Sequence, residues 1–159
     1  MTTKNQSWWS YYQRHLKFLK GGRNFPHVDC YGFVVLAFLR ECGIRLDNWA
    51  ELNLDNFSDQ KRSLLEFPYN MDFNPVETGF EQAFDVAAIR IPMAVNGKAT
   101  RGWWHCGIVS RPGFIVEMHE AQGLVEKCFR PVPEACADAN LRARDVKLFR
   151  HRALTEKQP

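Results

Sequence analysis

The chain has 159 residues, of which 45% are hydrophobic, and a formal charge of +3, which fits one soluble globular domain with a core of its own. So small a charge excess reads as an ordinary solvated surface, and no nucleic-acid partner is expected. No stretch approaches a transmembrane helix, so no membrane insertion is expected, and from the polar start at 1–6 followed by Ser7-Trp8-Trp9-Ser10-Tyr11-Tyr12 no secretion signal is expected.

Residues 10–19 read as a first helix, with Tyr12, His15, Leu16 and Leu19 at helical spacing and Gly21-Gly22 as its stop. His15 reads as a packing residue and His27 as a turn residue. Asp29 is a natural N-cap for a helix that continues through the apolar run 34–39 and ends at Gly43. Residues 43–80 then change character: Asn, Asp and Glu are dense at 47–57, a short helix capped by Ser58 follows, and Pro68 ends it. This region reads as a variable connection. Beyond it, strands at 85–91, 103–109, 114–119, 123–128 and 145–149 alternate with Gly, Pro and Asn turns as an antiparallel meander, and Asn96-Gly97 is a hairpin signal. Helices first and sheet second predict an α+β domain over 1–154, with 155–159 as a frayed tail.

The cysteines number five, Cys30, Cys42, Cys106, Cys128 and Cys136. An odd count without regular spacing predicts reduced thiols and synthesis in a cytoplasm rather than a disulfide framework. With no Cys-x-x-Cys pair, no structural zinc is expected, and Cys106, Cys128 and Cys136 read as core residues.

Cys30 differs from the others by its context. It stands where the loop Phe25-Pro26-His27-Val28-Asp29 turns into an apolar helix, and unpaired backbone N–H groups at a helix N-terminus favour a thiolate. Gly32 reads as a close-approach position, kept bare for the histidine-bearing strand or for substrate. His105 heads the buried strand Cys106-Gly107-Ile108-Val109. A thiol at a helix start and an imidazole on a rigid strand elsewhere in the fold are the parts of a thiolate nucleophile and its base.

The segment Lys17-Phe18-Leu19-Lys20-Gly21-Gly22-Arg23-Asn24-Phe25-Pro26-His27-Val28-Asp29-Cys30-Tyr31-Gly32 resembles the signature of the NlpC-like peptidoglycan peptidases, in which an aromatic and a Gly-Gly pair precede an Asp-Cys-Ser-Gly motif. Phe84-Asp85-Val86-Ala87-Ala88-Ile89-Arg90 is similar to the family's Gly-Asp-Val strand, and His105-Cys106-Gly107-Ile108-Val109 to its His-Val-Gly-Ile strand. The blocks stand in the family's order over residues 17–127. Within the family, Tyr31, Gly22-Arg23 and Pro112-Gly113 most resemble the tail-associated peptidases of long-tailed bacteriophages.

The resemblance implies a circularly permuted papain-like fold, with N-terminal helices packed on the antiparallel sheet. It makes Cys30 the nucleophile and His105 the general base and acid. The residue that orients the imidazole comes from the next strand: His119 is the closer match and Glu117, of the same strand parity, the alternative. Phe18, Asp29 and Tyr31 flank the nucleophile as candidate oxyanion or substrate-binding positions. Phe18 falls where the family has a tyrosine hydroxyl beside the oxyanion, and losing one such contact costs about 100- to 1000-fold in rate. Tyr11, Tyr12 or Tyr31 are the available substitutes.

The implied reaction is hydrolysis of an amide in the peptidoglycan stem peptide through a thioacyl enzyme, with no metal or organic cofactor. The implied partners are the stem peptide and other phage tail-tip proteins. The implied place is a virion tail, assembled in the bacterial cytoplasm and acting at the host wall and periplasm. Trp49, Phe57 and Tyr69 would then either stack on sugar rings or form a satellite core. A tail-tip component with a dormant site, and a cysteine amidase or injected toxin outside phage particles, are the alternatives.

Overall fold

The computed structural model describes residues 7–47, 72–95, 97–130 and 142–155. The helix expected from Ser58, the aromatics Trp49, Phe57 and Tyr69, and Cys136 lie outside the described residues.

The first helix is shorter than its periodicity predicts: α1 spans Ser10–His15, and Leu16 is already extended. Tertiary pairing overrides the helical spacing here. Lys17–Phe18 (β1) pairs in parallel with His27–Val28 (β3), and Arg23–Asn24 (β2) pairs antiparallel with the same strand. This small sheet frames the approach to the next helix.

Helix α2 spans Cys30–Ala37 and runs on into a π-helical turn, Phe38–Cys42, which Gly43 ends at φ +68°, the left-handed conformation that favours glycine. Nearly every side chain of α2 is buried, so it carries no polar stripe of its own. Phe33, Val34 and Phe38 are fully buried, and each contributes about 1.5–3 kcal/mol by leaving water.

The rest of the described chain forms one six-stranded, antiparallel sheet in the order β4-β9-β5-β6-β7-β8. Its strands are β4 (Phe73–Val76), β5 (Val86–Val95), β6 (Lys98–Arg111), β7 (Phe114–His119), β8 (Gly123–Cys128) and β9 (Val146–His151). The architecture is mixed α+β, as expected, though with few helices, and two features depart from a simple meander. Strand β4 was not anticipated, and β9 inserts between β4 and β5. Both follow from long-range pairing: the buried Asp85 carboxylate accepts from Arg150 Nε and Nη2, each at 2.8 Å, which ties β9 to the start of β5. Helix α3, Arg152–Thr155, closes the described chain, so Thr155 is helical rather than the first residue of a tail.

Apolar residues fill both faces of the sheet. Ala88, Cys106, Ile108, Val116 and Met118 share a cluster with α2, while Ala87, Ile89, Val109, Ile115 and Leu148 form a second one.

Gly32 is a close-approach position, though not toward the histidine-bearing strand or a substrate. A Cβ there would lie 2.1 Å from the Gly22 carbonyl oxygen and 3.2 Å from Val28 Cβ, so the constraint comes from the loop under the helix start. Gly32→Ala therefore forces backbone apart and should lower the melting temperature by roughly 5–10 °C, from about 2–3 kcal/mol of overpacking. An unchanged thermal melt would show that the loop yields freely.

Candidate active site

The site is assembled from the tip of α2 and one edge of β6 and β7. At the tip, the Asp29 carboxylate caps the helix by accepting from Gly32 N at 2.7 Å. It also accepts from Gly21 N at 3.2 Å and pairs with Arg23 Nη1 at 2.6 Å, both groups of the ion pair being buried. Asp29 is therefore an anchor that fixes where Cys30 sits.

On the sheet side, two irregularities single out His105. The β5–β6 register pairs Ile89 with His105 but Arg90 with Trp103, so a bulge lies immediately before the histidine and re-aims it. The β6–β7 pairing ends at Gly107 and Glu117, so beyond it β6 is unpaired on the β7 side. Strand alternation puts Glu117, His119 and Lys127 on one face of β7 and β8, Cys106 lies in the cluster beneath α2, and His105, just past the bulge, reaches both Glu117 and Cys30. Gly107 leaves room opposite Glu117: a Cβ there would come within 2.6 Å of Val116 O and 3.2 Å of Glu117 Cβ.

His105 Nε2 lies 3.1 Å from Glu117 Oε2, which leaves Nδ1 as the nitrogen for the hydrogen bond between His105 and the Cys30 thiol. Burial opposes charge on the ring, but the hydrogen bonds to Cys30 and then to Glu117 outweigh it, and its pKa rises from 6.5 to about 10. Cys30 moves the other way, from 9.0 to about 5. A hydrogen bond from the Cys106 thiol is the largest cause, burial opposes it, and the hydrogen bond and charge of His105 add to the lowering. Near neutral pH the pair is thus a thiolate and an imidazolium in a buried site, Cys30 being 5% exposed. Glu117, 1% exposed, stays ionised with its pKa lowered to about 2: burial works against this, and His105 and Lys127 overcome it.

Glu117, the alternative on β7, is thus the residue that gives His105 a polar contact, while the His119 ring packs edge-on against the His105 ring with centroids 5.6 Å apart. The better sequence match, His119, instead places its Nε2 3.3 Å from Glu117 Oε1. Lys127 Nζ lies 2.6 Å from the same oxygen. His119 is half-exposed, and its pKa is lowered by burial and by the neighbouring Lys127 charge.

Cys106 is the residue that sequence reasoning read only as core. It is buried and touches the Cys30 thiol. The available signal was its place directly after His105, where the motif that this segment resembles has valine. Since its S–H donates to the Cys30 thiolate, Cys106→Val should raise the Cys30 pKa above about 5. The pH profile of iodoacetamide alkylation, followed on the Cys30 peptide by mass spectrometry, would then shift to higher pH. A profile that does not move would rule out that donation.

Of the flanking candidates, Phe18 is half-buried against the main core. The Tyr31 hydroxyl donates to Asp47 O, and the Tyr12 hydroxyl to Glu41 Oε1. Both hydroxyls have partners away from Cys30, and Tyr11 packs at a tilt against His15 with ring centroids 4.4 Å apart. A surface cavity of ≈ 340 Å³, lined by Ser7, Trp8, Trp9, Ser110, Arg111 and Glu126, includes none of the residues around Cys30.

No family model and no curated protein matches this chain. Among the described residues, no helix is long and apolar enough to cross a membrane.

Proposed function

We infer that this chain is a thiol hydrolase, with Cys30 as nucleophile, His105 as general base and acid, and Glu117 as the group that holds the imidazole. The observation that carries the reading is the Cys30–His105–Glu117 chain of contacts at a helix N-terminus, a thiolate–imidazolium pair backed by a buried carboxylate. Cys30 thiolate attacks an amide carbonyl, and backbone N–H groups of the first turn of α2 receive the developing oxyanion. His105 hands its proton to the leaving amine, which leaves a neutral imidazole. That imidazole takes a proton from water as the water attacks the thioester, and Cys30 is released as thiolate.

For the substrate, the motif resemblance to NlpC-like peptidases supports an amide in the peptidoglycan stem peptide and, within a papain-like fold, local wall opening by a bacteriophage tail. Tail-tip proteins are then its partners, and the virion carries it to the wall. The test is digestion of purified Gram-negative peptidoglycan by the folded protein, with released fragments read by mass spectrometry. Stem-peptide fragments that disappear after alkylation of Cys30 are expected. No fragments from protein with an intact melt would overturn the reading.

One observation favours a second reading, a tail-tip component whose site is dormant. Phe18 supplies no hydroxyl, and those of Tyr12 and Tyr31 have other partners. That reading predicts a Cys30 that alkylates readily but cleaves nothing.

A further inference from the structure

Beyond the nucleophile and its base, the same edge of the sheet gathers donors of another kind. One donor atom from each of His105, Glu117 and His119 lies within 4.8 Å of the others. Each imidazole also has its own carboxylate oxygen nearby: His105 Nε2 lies 3.1 Å from Glu117 Oε2, and His119 Nε2 lies 3.3 Å from Glu117 Oε1. Bonds of about 2.0–2.1 Å to a tetrahedral zinc ion place neighbouring nitrogen and oxygen donors about 3.3 Å apart. Each imidazole nitrogen therefore stands close to coordination spacing from one oxygen of the carboxylate between them, and the three donors need only a small adjustment to share an ion.

A second observation concerns Glu117 Oε1. It is buried, and its near neighbours are the Lys127 ammonium, Nζ at 2.6 Å as an ion pair, and His119 Nε2 at 3.3 Å. Lys127 Nζ is also 3.3 Å from His119 Nε2. A positive charge thus already occupies the space between two of the donors, held by a side chain that is 25% exposed and can turn out to solvent.

We propose that His105, Glu117 and His119 bind a divalent ion of the zinc class in competition with the Lys127 ammonium, and that the bound ion silences the Cys30–His105 pair. Imidazole and carboxylate are the donors that such an ion takes. Binding releases the Nε2 proton of His105 to solvent and puts the metal in its place. A metallated ring can no longer carry the proton between Cys30 and the leaving amine, because Nδ1 loses its basicity. Ion binding stands on the donor geometry alone, whereas the silencing rests on Cys30 being the nucleophile.

The test is titration of Cys30→Ala with Co²⁺, following the visible bands of the tetrahedral ion. A site of nitrogen and oxygen donors with no thiolate charge-transfer band is expected. Lys127→Ala in that background should tighten binding about tenfold by removing a like charge. His119→Ala, a half-exposed position that tolerates truncation, should weaken it at least about tenfold. Absence of the bands in folded Lys127→Ala, or bands indifferent to His119→Ala, would overturn the proposal. In wild type, Zn²⁺ should stop hydrolysis and a chelator restore it; hydrolysis that persists in saturating Zn²⁺ overturns the silencing. Wild type inactive with and without chelator would instead count against the hydrolase reading, and the Co²⁺ titration would still decide the ion site.

Discussion

Cys30→Ala and His105→Ala should each bring the release of stem-peptide fragments down to the level of a buffer control, a loss on the order of 10⁴- to 10⁶-fold. The sulfur is the only atom that forms the covalent intermediate, and without the imidazole the leaving amine departs unprotonated. The two losses should not add, because nucleophile and base act as one unit. Each variant also breaks a buried charge pair, so a thermal melt must accompany the assay. A Cys30→Ala protein that still cleaves the same bond would remove the mechanism outright.

Glu117→Gln should lower kcat by about 10³- to 10⁴-fold, whereas His119→Ala should cost on the order of tenfold. The ranking follows from contact: Glu117 Oε2 is 3.1 Å from His105 Nε2, while His119 meets Glu117 rather than His105 through its nearest polar atom. Glutamine can present an N–H to His105 and select the wrong tautomer, and it carries no charge to stabilise the imidazolium. The pH profile supplies a second readout. Cys30 with a pKa near 5 and His105 near 10 give an active ion pair between those limits. Loss of the Glu117 charge lowers the His105 pKa, so the alkaline limb should move to lower pH while the acid limb holds. Equal losses in Glu117→Gln and His119→Ala, with no shift of that limb, would argue against Glu117 as the positioning residue.

What the amino-acid order determined by itself is whatever local chemistry dictates. Asp29 caps α2 because a carboxylate before an apolar run satisfies its first N–H groups, and the observed bond to Gly32 N is that cap. The strands at 114–119 and 123–128 coincide with β7 and β8, because short apolar runs between glycine-containing turns leave little choice of bounds. Tertiary structure decided the rest. The helix expected over 10–19 stops at His15 because Lys17–Phe18 pairs with a strand closer to Cys30. His119 and Glu117 share a strand parity, so parity could not separate them. The folded contacts did so, with Glu117 Oε2 3.1 Å from His105 Nε2 and His119 Nε2 meeting Glu117 instead, and each is a property of strands brought together. Cys106 shows the same limit. Its alternation marks it as a core residue, and it becomes a donor to Cys30 only because α2 brings a thiolate to that face of the sheet.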